Sequence, residues 1–401
     1  MRILMSAIIL LSIGAQAQQP SAIERGEYLA AAGNCKHCHT TEGGAPFAGG
    51  LAFSTDFGVI YSTNITPDTE TGIGGWTLEQ FVRAMHEGVS ADGTKLYPVF
   101  PYPSFTKVTS DDLEAIFAYL KTVAPVSSQP PENDLSFPFN QRGLMGVWNA
   151  LFFESGRYTA DPSKSTEWNR GAYLVEGLAH CGTCHTPRNI LGGKQEDRAL
   201  SGGTYLDKVE PGVLRPWSAV NLTSAADGLA AWSEDNIAEY LLTGHSAPAG
   251  TFGPMNAVIT EGTSLLTPED VRAMAIYLKN LPPIERAPQH EMDPEDFRAA
   301  ELIYTIHCGT CHLPTGLGDR STGPALVGRP IVQAEDPASL INSIIYGATV
   351  PAPAPPHAWE NMEAFGDKLD DDEIALLSTY MRANWGNRGG PVSEADVAKQ
   401  R

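Results

Sequence analysis

Three stretches of the chain place apolar residues three and four positions apart, which is the spacing of one face of an α-helix. They run from Thr109 to Lys121, from Thr267 to Lys279 and from Asp370 to Arg382. Each begins with a residue suited to cap a helix N-terminus and ends with Lys or Arg, where a cation meets the negative end of the helix dipole. The pattern therefore predicts three similar helices, spread along the chain.

Signals for β-strands are sparse. Few stretches alternate apolar and polar residues in the way that a half-buried strand does. The 39 glycines and 30 prolines among the 401 residues instead indicate long irregular loops. The predicted fold class is all-α, and the chain is long enough for about three domains of common size.

All six cysteines lie in Cys-x-x-Cys-His motifs, one upstream of each predicted helix. In such a motif the two thiols attach covalently to one haem, and the histidine becomes the proximal ligand of its iron. The sequence thus predicts three covalently bound haem c (heme c) groups. The attachment residues would be Cys35, Cys38, Cys181, Cys184, Cys308 and Cys311, and the proximal ligands would be His39, His185 and His312.

Two other uses of paired cysteines fit these motifs less well. A structural zinc site needs four ligands, and no cysteine of the sequence remains to complete one. A thioredoxin-type pair needs no histidine after its second cysteine and lies between a strand and a helix, a context that the sequence around these motifs does not indicate. Because every thiol is assigned to haem, we expect no disulfide bond.

The segments around the first two motifs repeat each other. Arg25-Gly26-Glu27-Tyr28-Leu29 precedes the first motif and Arg170-Gly171-Ala172-Tyr173-Leu174 the second, and the third motif has a looser copy. Asn64-Ile65-Thr66 and Asn221-Leu222-Thr223 follow, each with a tryptophan further on. The predicted organisation is a signal peptide at 1–17, haem domains at 18–125, 166–283 and 294–386, a bridge at 126–165, a linker at 284–293 and a polar tail at 387–401.

The first residues have the form of a secretory signal. Arg2 precedes an apolar run from Ile3 to Ile13, and Ala15-Gln16-Ala17 matches a signal-peptidase site, so we expect cleavage after Ala17. The run is shorter than the roughly 20 residues that span a bilayer. Because bacteria attach haem covalently outside the inner membrane, we expect a periplasmic protein that works at the outer face of that membrane.

The sixth iron ligand decides whether a haem only carries electrons or also binds small molecules. We predict Met255, which follows Gly253-Pro254, and Met362, which lies eight residues before Asp370, as distal ligands and hence as metal ligands. The corresponding loop of the first domain has Phe100 at the expected position. Its distal ligand stays open among Met85, His86, Met145 and no residue at all, although alignment with Leu241 and Leu242 favours packing roles for the first two.

Charge and one apolar segment bear on partners. The net charge of −20 disfavours nucleic acid and anionic lipid, and it either attracts a basic docking surface or serves solubility alone. The bridge contains the apolar run 144–153. We interpret this run as an interdomain helix, with membrane or partner contact as the alternative.

With these motifs the chain resembles the tri-haem cytochrome c subunits of bacterial periplasmic dehydrogenases. That family is associated with quinoprotein alcohol dehydrogenase and with flavin-dependent gluconate, sorbitol and fructose dehydrogenases. Besides the Cys-x-x-Cys-His motifs, the resemblance rests on segment 64–68 (Asn-Ile-Thr-Pro-Asp), 96–98 (Leu-Tyr-Pro), 101–103 (Pro-Tyr-Pro), 253–255 (Gly-Pro-Met) and 364–369 (Ala-Phe-Gly-Asp-Lys-Leu). It covers almost the whole mature chain and implies three tandem small cytochrome c domains.

The resemblance implies that this chain is an electron conduit. A partner dehydrogenase catalytic subunit would oxidise an alcohol, sugar or aldehyde, and this chain would pass the electrons to ubiquinone or another respiratory acceptor. The sequence has no dinucleotide-binding motif and no recognisable catalytic residues of its own. Two alternatives stay open, namely a free-standing periplasmic electron shuttle and a haem enzyme that uses an open site at the first haem.

Overall fold

A computed structural model gives the fold and describes residues 20–210, 213–285, 290–319, 321–349, 359 and 361–401. The predicted signal peptide at 1–17 lies outside the described residues. Helices gather around each Cys-x-x-Cys-His motif, and we call these three groups the first, second and third units.

The helices follow one another in similar order in each unit. The first unit contains α1 (Ala22–Ala32), α2 (Cys35–Cys38), α3 (Leu78–Glu87), α4 (Tyr102–Phe105) and α5 (Ser110–Leu120), and α6 (Leu144–Phe152) follows it. The second contains α7 (Thr166–Ala172), a π-helical turn (Tyr173–Leu178), α8 (Gly182–His185), α9 (Glu234–Thr243), α10 (Met255–Thr260) and α11 (Pro268–Lys279), with 3₁₀ turns at Glu196–Arg198 and Thr263–Leu265. The third contains α12 (Pro294–His307), α13 (Gly309–His312), α14 (Pro330–Gln333), α15 (Ala338–Tyr346), α16 (Asp371–Ala383) and α17 (Glu394–Ala398).

The three helices predicted from the apolar spacing are confirmed as α5, α11 and α16. In each, the side chain of the N-cap residue accepts a hydrogen bond from the backbone N–H three residues further on, and these residues are Thr109, Thr267 and Asp370. The cap satisfies a donor that the first helical turn would otherwise leave without a partner.

The all-α prediction is wrong, because the described residues also form two β-sheets. Strands β1 (Ala52–Thr55), β2 (Gly58–Tyr61) and β3 (Asp134–Leu135) make an antiparallel three-stranded sheet, and β4 (Gly203–Glu210) pairs with β5 (Val213–Ala219) in a hairpin. The first sheet is short and its third strand comes from the bridge, so pairing depends on residues far apart in sequence. The hairpin includes Asp207 and Pro216, which hide its strand pattern.

The N-terminal and C-terminal helices of the first two units cross at a glycine. A Cβ atom at Gly26 of α1 would lie 1.9 Å from the carbonyl oxygen of Ala115 in α5. A Cβ atom at Gly171 of α7 would lie equally close, at 1.9 Å, to the carbonyl oxygen of Ala273 in α11. Only a residue without a side chain allows the two backbones to approach this closely. The glycine of the Arg-Gly-x-Tyr-Leu repeat therefore marks one helix crossing in both units.

The first and second units pack against each other through a buried polar contact. Arg25 and Asp112 form an ion pair inside the first unit, and the hydroxyl of Tyr173 in the second unit donates to the same carboxylate. Arg170 and Asp270 make the equivalent ion pair in the second unit, with N–O distances of 2.8 and 2.6 Å. Buried apolar residues of both units also form one continuous core.

The third unit has its own apolar core and meets the second unit along the β4–β5 hairpin. The backbone N–H of Ser218 in β5 donates to the hydroxyl of Ser339 in α15 across 2.8 Å, and the amide of Asn342 donates to the carbonyl of Pro216, also across 2.8 Å. The hairpin, which the sequence pattern did not predict, thus joins these units.

Residues 387–401, which we expected to form a polar tail, pack on the third unit. Val397 of α17 is fully buried in the core of that unit. The guanidinium of Arg401 donates to the backbone carbonyls of Gly366 and Leu369, at 2.7 and 2.8 Å. Across the described ranges, no helix is both long and apolar enough to cross a membrane.

Candidate haem-binding site

The three Cys-x-x-Cys-His motifs open into one connected cavity of about 2100 Å³. All six motif cysteines and all three motif histidines line it, and most other lining residues are apolar or aromatic. One third of this volume, about 700 Å³, lies within the range of about 300 to 1,000 Å³ that is usual for cofactor sites. The cavity as a whole is therefore large enough for three such groups.

Each motif histidine is held in the same way. The Nδ1 atom of His39 lies 2.6 Å from the carbonyl oxygen of Thr63, that of His185 lies 2.7 Å from Val220, and that of His312 lies 2.8 Å from Pro324. A carbonyl oxygen can only accept, so Nδ1 carries the proton and Nε2 keeps its lone pair. This arrangement orients the imidazole and leaves Nε2 free to bind a metal.

Burial keeps these imidazoles neutral. It lowers the pKa of His39, His185 and His312, and this effect outweighs the opposite effect of the hydrogen bond to the carbonyl. A neutral imidazole is the form that binds iron. The donor set of each motif therefore suits a haem with a proximal histidine.

The repeated Asn-x-Thr segments position the carbonyls that hold the first two histidines. Asn64 follows Thr63 directly, and its side-chain oxygen accepts from the backbone N–H and the hydroxyl of Thr66, at 2.9 and 2.8 Å. Asn221 follows Val220 and binds Thr223 in the same way, at 2.9 and 2.7 Å. Both asparagines are buried. The repeat seen in the sequence therefore fixes the backbone carbonyl that orients the motif histidine.

Burial disfavours the thiolate form of four of the motif cysteines. Burial raises the pKa of the thiols of Cys35, Cys38, Cys181 and Cys308 to about 12. Zinc sites and dithiol redox pairs require thiolates, which positive surroundings stabilise by lowering the pKa. None of the described cysteines forms a disulfide bond.

Met255 lies at the start of α10 and lines the cavity. The loop before it is equivalent to a loop of the first unit, because each loop begins with a hydrogen bond back to the glycine that ends the preceding helix. The N–H of Leu96 donates to the carbonyl of Gly88, and that of Thr251 donates to Gly244, both across 2.7 Å. Phe100 lies four residues after Leu96, and Met255 lies four residues after Thr251. The two residues therefore occupy equivalent positions in their loops.

Met362 also lines the cavity and packs against the core of the third unit. Its backbone pairs with that of Ala348 through two hydrogen bonds of 3.1 and 2.9 Å. This pairing brings the loop before α16 back beside the end of α15. Met362 thus lies in a loop at the cavity wall, which is where the sequence predicted a distal ligand in the third unit.

The open candidates for the first haem differ in their surroundings. His86 does not line the cavity, and its Nε2 atom lies 2.9 Å from the carbonyl oxygen of Val108. Met85 and Met145 are both buried and both line the cavity. Met85 sits on α3 in the main core, whereas Met145 reaches the cavity from α6 in the bridge. Phe100 lines the cavity as well.

Three polar groups along the cavity fit the acidic substituents of a haem. Within the part of the chain that the structure describes, Trp217 Nε1, Trp232 Nε1 and Arg329 Nε are buried donors that meet no acceptor. Buried donors normally find a partner, and haem propionates are acceptors. The sequence had singled out Trp232 as part of the repeat, but it offered no signal for Trp217 or Arg329.

Comparisons with known proteins agree with this site. A family model described as cytochrome c matches residues 23–124, and one described as cytochrome C oxidase, cbb3-type, subunit III matches residues 295–381. The chain is 37% identical over 401 residues to the cytochrome c subunit of a quinone alcohol dehydrogenase from Gluconobacter oxydans. The aligned region covers 96% of this chain and 84% of that protein.

Two further relatives extend the comparison. The cytochrome c subunit of gluconate 2-dehydrogenase from Pantoea cypripedii is 36% identical over 398 residues, covering 94% of this chain and 89% of that protein. A nicotinate dehydrogenase subunit from Pseudomonas putida is 42% identical over 368 residues, which is 90% of this chain. The chain spans only 30% of the length of that relative.

Proposed function

Because this chain belongs to the family of c-type cytochromes that includes the cytochrome c subunit of quinone alcohol dehydrogenase, we propose that it carries electrons away from a dehydrogenase catalytic subunit. The observation that supports this most directly is the single cavity shared by three motifs, each with a histidine fixed through Nδ1. Three groups bound in one connected cavity would suit a chain of redox centres.

The proposal includes three haem c groups and three cytochrome c domains, one for each unit. Cys35 and Cys38, Cys181 and Cys184, and Cys308 and Cys311 would attach them, with His39, His185 and His312 as proximal ligands. Met255 and Met362 would be distal ligands of the second and third groups. Haem c supplies an iron that takes up and releases one electron at a time. The mostly apolar walls would shield it from water, and the fixed imidazoles of His39, His185 and His312 would hold it through Nε2.

The partner would be a dehydrogenase catalytic subunit that oxidises an alcohol, sugar or aldehyde. The acceptor would be ubiquinone or another respiratory carrier, and the complex would work in the periplasm at the outer face of the inner membrane, with this chain attached peripherally. Its net charge of −20 suits a partner with a basic docking surface and makes nucleic acid an unsuitable one.

The decisive test is made on the complex isolated by mild solubilisation. Substrate should reduce the haem of this chain, and added quinone should reoxidise it. Pyridine haemochrome analysis against protein mass should give about three haems per chain. A stoichiometry near two would reject the three-haem assignment. If deletion of the chain left substrate-dependent respiration unchanged, the free-shuttle function would replace the conduit.

A second candidate function follows from Phe100. Because it occupies the position of Met255, the first haem would have an open coordination site unless Met85 or Met145 reaches the iron. An open haem iron binds small molecules. A five-coordinate spectrum together with turnover of peroxide or a sulfur compound by the isolated chain would favour a haem enzyme.

A further inference from the structure

Trp359 lies three residues before Met362, in the loop that carries the predicted distal ligand of the third haem. Its side chain is only 8% exposed, and it lines the cavity. The indole N–H donates to the carbonyl of Asp319 across 2.9 Å. Asp319 lies between α13 and α14, as does Pro324, whose carbonyl fixes the ring of His312. The indole is therefore anchored to the loop that orients the motif histidine of the third unit.

The ring of Trp359 also packs against the second unit. Its centroid lies 4.4 Å from that of His245. A Cβ atom at Gly250 would lie 3.6 Å from two carbons of the same indole ring, which is ordinary van der Waals contact. His245 and Gly250 pair with each other at the start of the loop that leads to Met255. Trp359 thus lies between the loops that carry the predicted distal ligands of the second and third haems.

No other pair of aromatic rings within the described ranges makes a contact between the second and third units. Trp217 on β5 lies near the same junction and lines the cavity. Its ring, however, contacts Phe252 at 6.0 Å and closely borders Gly253, and both of these residues belong to the second unit. Trp359 is therefore the aromatic side chain that reaches from one unit to the other.

The junction between the first and second units has a similar feature. The ring of Phe105 lies 5.4 Å from that of His180, which directly precedes Cys181 of the second motif. Both residues line the cavity. A pair of aromatic rings thus lies at the cavity wall at each of the two junctions between successive motifs.

A packed ring at such a junction has a physical consequence for electron transfer. Electron tunnelling slows steeply as the gap between two redox centres widens, and it is slower across an empty gap than through packed atoms. Protein interiors fill such gaps with closely packed side chains. The indole of tryptophan is large, rigid and delocalised. The ring of Trp359 would therefore ease the passage of an electron between groups bound beside the second and third motifs.

We propose that Trp359 bridges the electron path between the second and third haems. One electron leaves one iron and arrives at the other. The indole itself is neither oxidised nor reduced, and its proton stays on Nε1, where it is bonded to Asp319. This role rests on the function proposed above, because it requires haem beside both motifs and a dehydrogenase that supplies electrons.

Stopped-flow reduction of the haem-loaded complex by substrate tests this role. In the parent complex we expect a single phase, because transfer between haems is faster than electron entry. Trp359→Leu should divide the absorbance change into a fast and a slow phase, with about one third in one phase and about two thirds in the other, since one haem is separated from two. Trp359→Phe loses the same N–H bond but keeps an aromatic ring, so it should keep the single phase.

The matched control is Trp385→Leu. Trp385 belongs to the third unit, where its ring contacts Tyr304 and Tyr380, and it lies outside the cavity wall. This variant should keep the single phase. The haem potentials and the thermal unfolding of the haem-loaded chain are measured for every variant. Equal potentials in Trp359→Leu and Trp359→Phe would show that the slow phase reflects the rate of transfer and not its driving force.

The proposal is overturned if Trp359→Leu is reduced like the parent, if Trp359→Phe and Trp359→Leu divide the trace equally, or if Trp385→Leu divides it as well. It is also overturned if the slow phase accompanies a shift in haem potential that Trp359→Phe lacks. In these cases substrate still reduces the parent, and the conduit function stands. A parent complex in which substrate reduces no haem would overturn the proposed function, and the role of Trp359 with it.

Discussion

The hydroxyl of Tyr28, on α1, donates a hydrogen bond of 2.6 Å to Asp270, on α11 of the second unit. Tyr173 of the second unit makes the same contact with Asp112 of the first. Each tyrosine thus completes the ion pair of the other unit, as in a two-fold symmetric dimer. In the Arg-Gly-x-Tyr-Leu repeat, the arginine and the glycine make their contacts within their own unit, whereas the tyrosine binds a carboxylate of the other unit.

Removal of either tyrosine hydroxyl should weaken both units together. We expect Tyr28→Phe and Tyr173→Phe each to lower the free energy of unfolding by about 1 to 2 kcal/mol, because each leaves a partly buried carboxylate with one donor fewer. Denaturant unfolding followed by haem absorbance and tyrosine fluorescence measures this. Tyr346→Phe is the matched control, since it removes a hydroxyl bond of 2.5 Å to Gln400 within the third unit. An identical unfolding profile for all three variants would contradict a joint interface.

The helix crossings give a second prediction. Gly26→Ala and Gly171→Ala should each lower the free energy of unfolding by about 3 kcal/mol or more, because the new methyl group meets a backbone oxygen that cannot move aside. Gly146→Ala is the control, since Gly146 is also helical but has only the end of the Lys95 side chain nearby, at 3.6 Å. That variant should be neutral or slightly stabilised. Thermal unfolding of the haem-loaded chain compares the three, and equal losses would refute the packing role.

The sequence predicted the parts of this protein that depend on local chemistry. Apolar spacing and capping residues lie within about a dozen consecutive positions, and helices α5, α11 and α16 were therefore predicted correctly. The all-α fold class failed because β2 pairs both with β1 and with β3, a strand from the bridge, and because the β4–β5 hairpin contains charged residues and a proline. Such strands are stabilised by contacts between distant residues, which periodicity does not reveal.

Two roles became visible only in three dimensions. The Asn-x-Thr repeat was recognisable in the sequence, but its role in placing the Thr63 and Val220 carbonyls against histidines is not. The bridge helix α6 was expected to pack between units, and one face does so. Its other face carries Leu144, Val147 and Leu151, which are 41 to 63% exposed.

Acid should weaken the Asp270 contact. Burial alone would raise the pKa of this carboxyl, but hydrogen bonds from Arg170 and Tyr28 lower it below its ordinary value of 3.8. A carboxyl whose pKa is lower in the folded state stabilises the fold fully above its unfolded-state pKa, and this contribution is lost as the pH falls through the folded-state pKa. The loss of stability in Asp270→Asn should therefore be about 1 to 3 kcal/mol at neutral pH and shrink below about pH 4. A gap that stays constant down to about pH 2 would contradict this assignment.

The distal methionines give separate spectroscopic predictions. If Met255 and Met362 bind iron, Met255→Ala and Met362→Ala should each remove part of the weak methionine-to-iron absorption at the red end of the oxidised spectrum. Each should also lower the reduction potential of one haem, because a thioether ligand raises it. Met274→Ala, which changes a fully buried core methionine of the second unit, should destabilise the chain without removing the band. Retention of the whole band in the Met255/Met362 double variant would reject both ligands.

The first unit allows the reverse experiment, in which a ligand is added. Phe100 lines the cavity and occupies the position of Met255, so Phe100→Met should bring a thioether to the first iron. We expect this variant to gain methionine-to-iron absorption and to raise the potential of the first haem, while Phe100→Leu, a matched apolar control, changes neither. The single variants Met85→Leu and Met145→Leu then test for a native ligand. Removal of a side chain makes the first haem five-coordinate only if that side chain had bound its iron. If Met145→Leu has this effect and Met85→Leu does not, the bridge helix supplies the ligand. If Met85→Leu and Met145→Leu show that neither methionine binds the iron, and Phe100→Met still leaves the spectrum and potentials of a correctly loaded chain unchanged, the equivalence of the two loops is wrong.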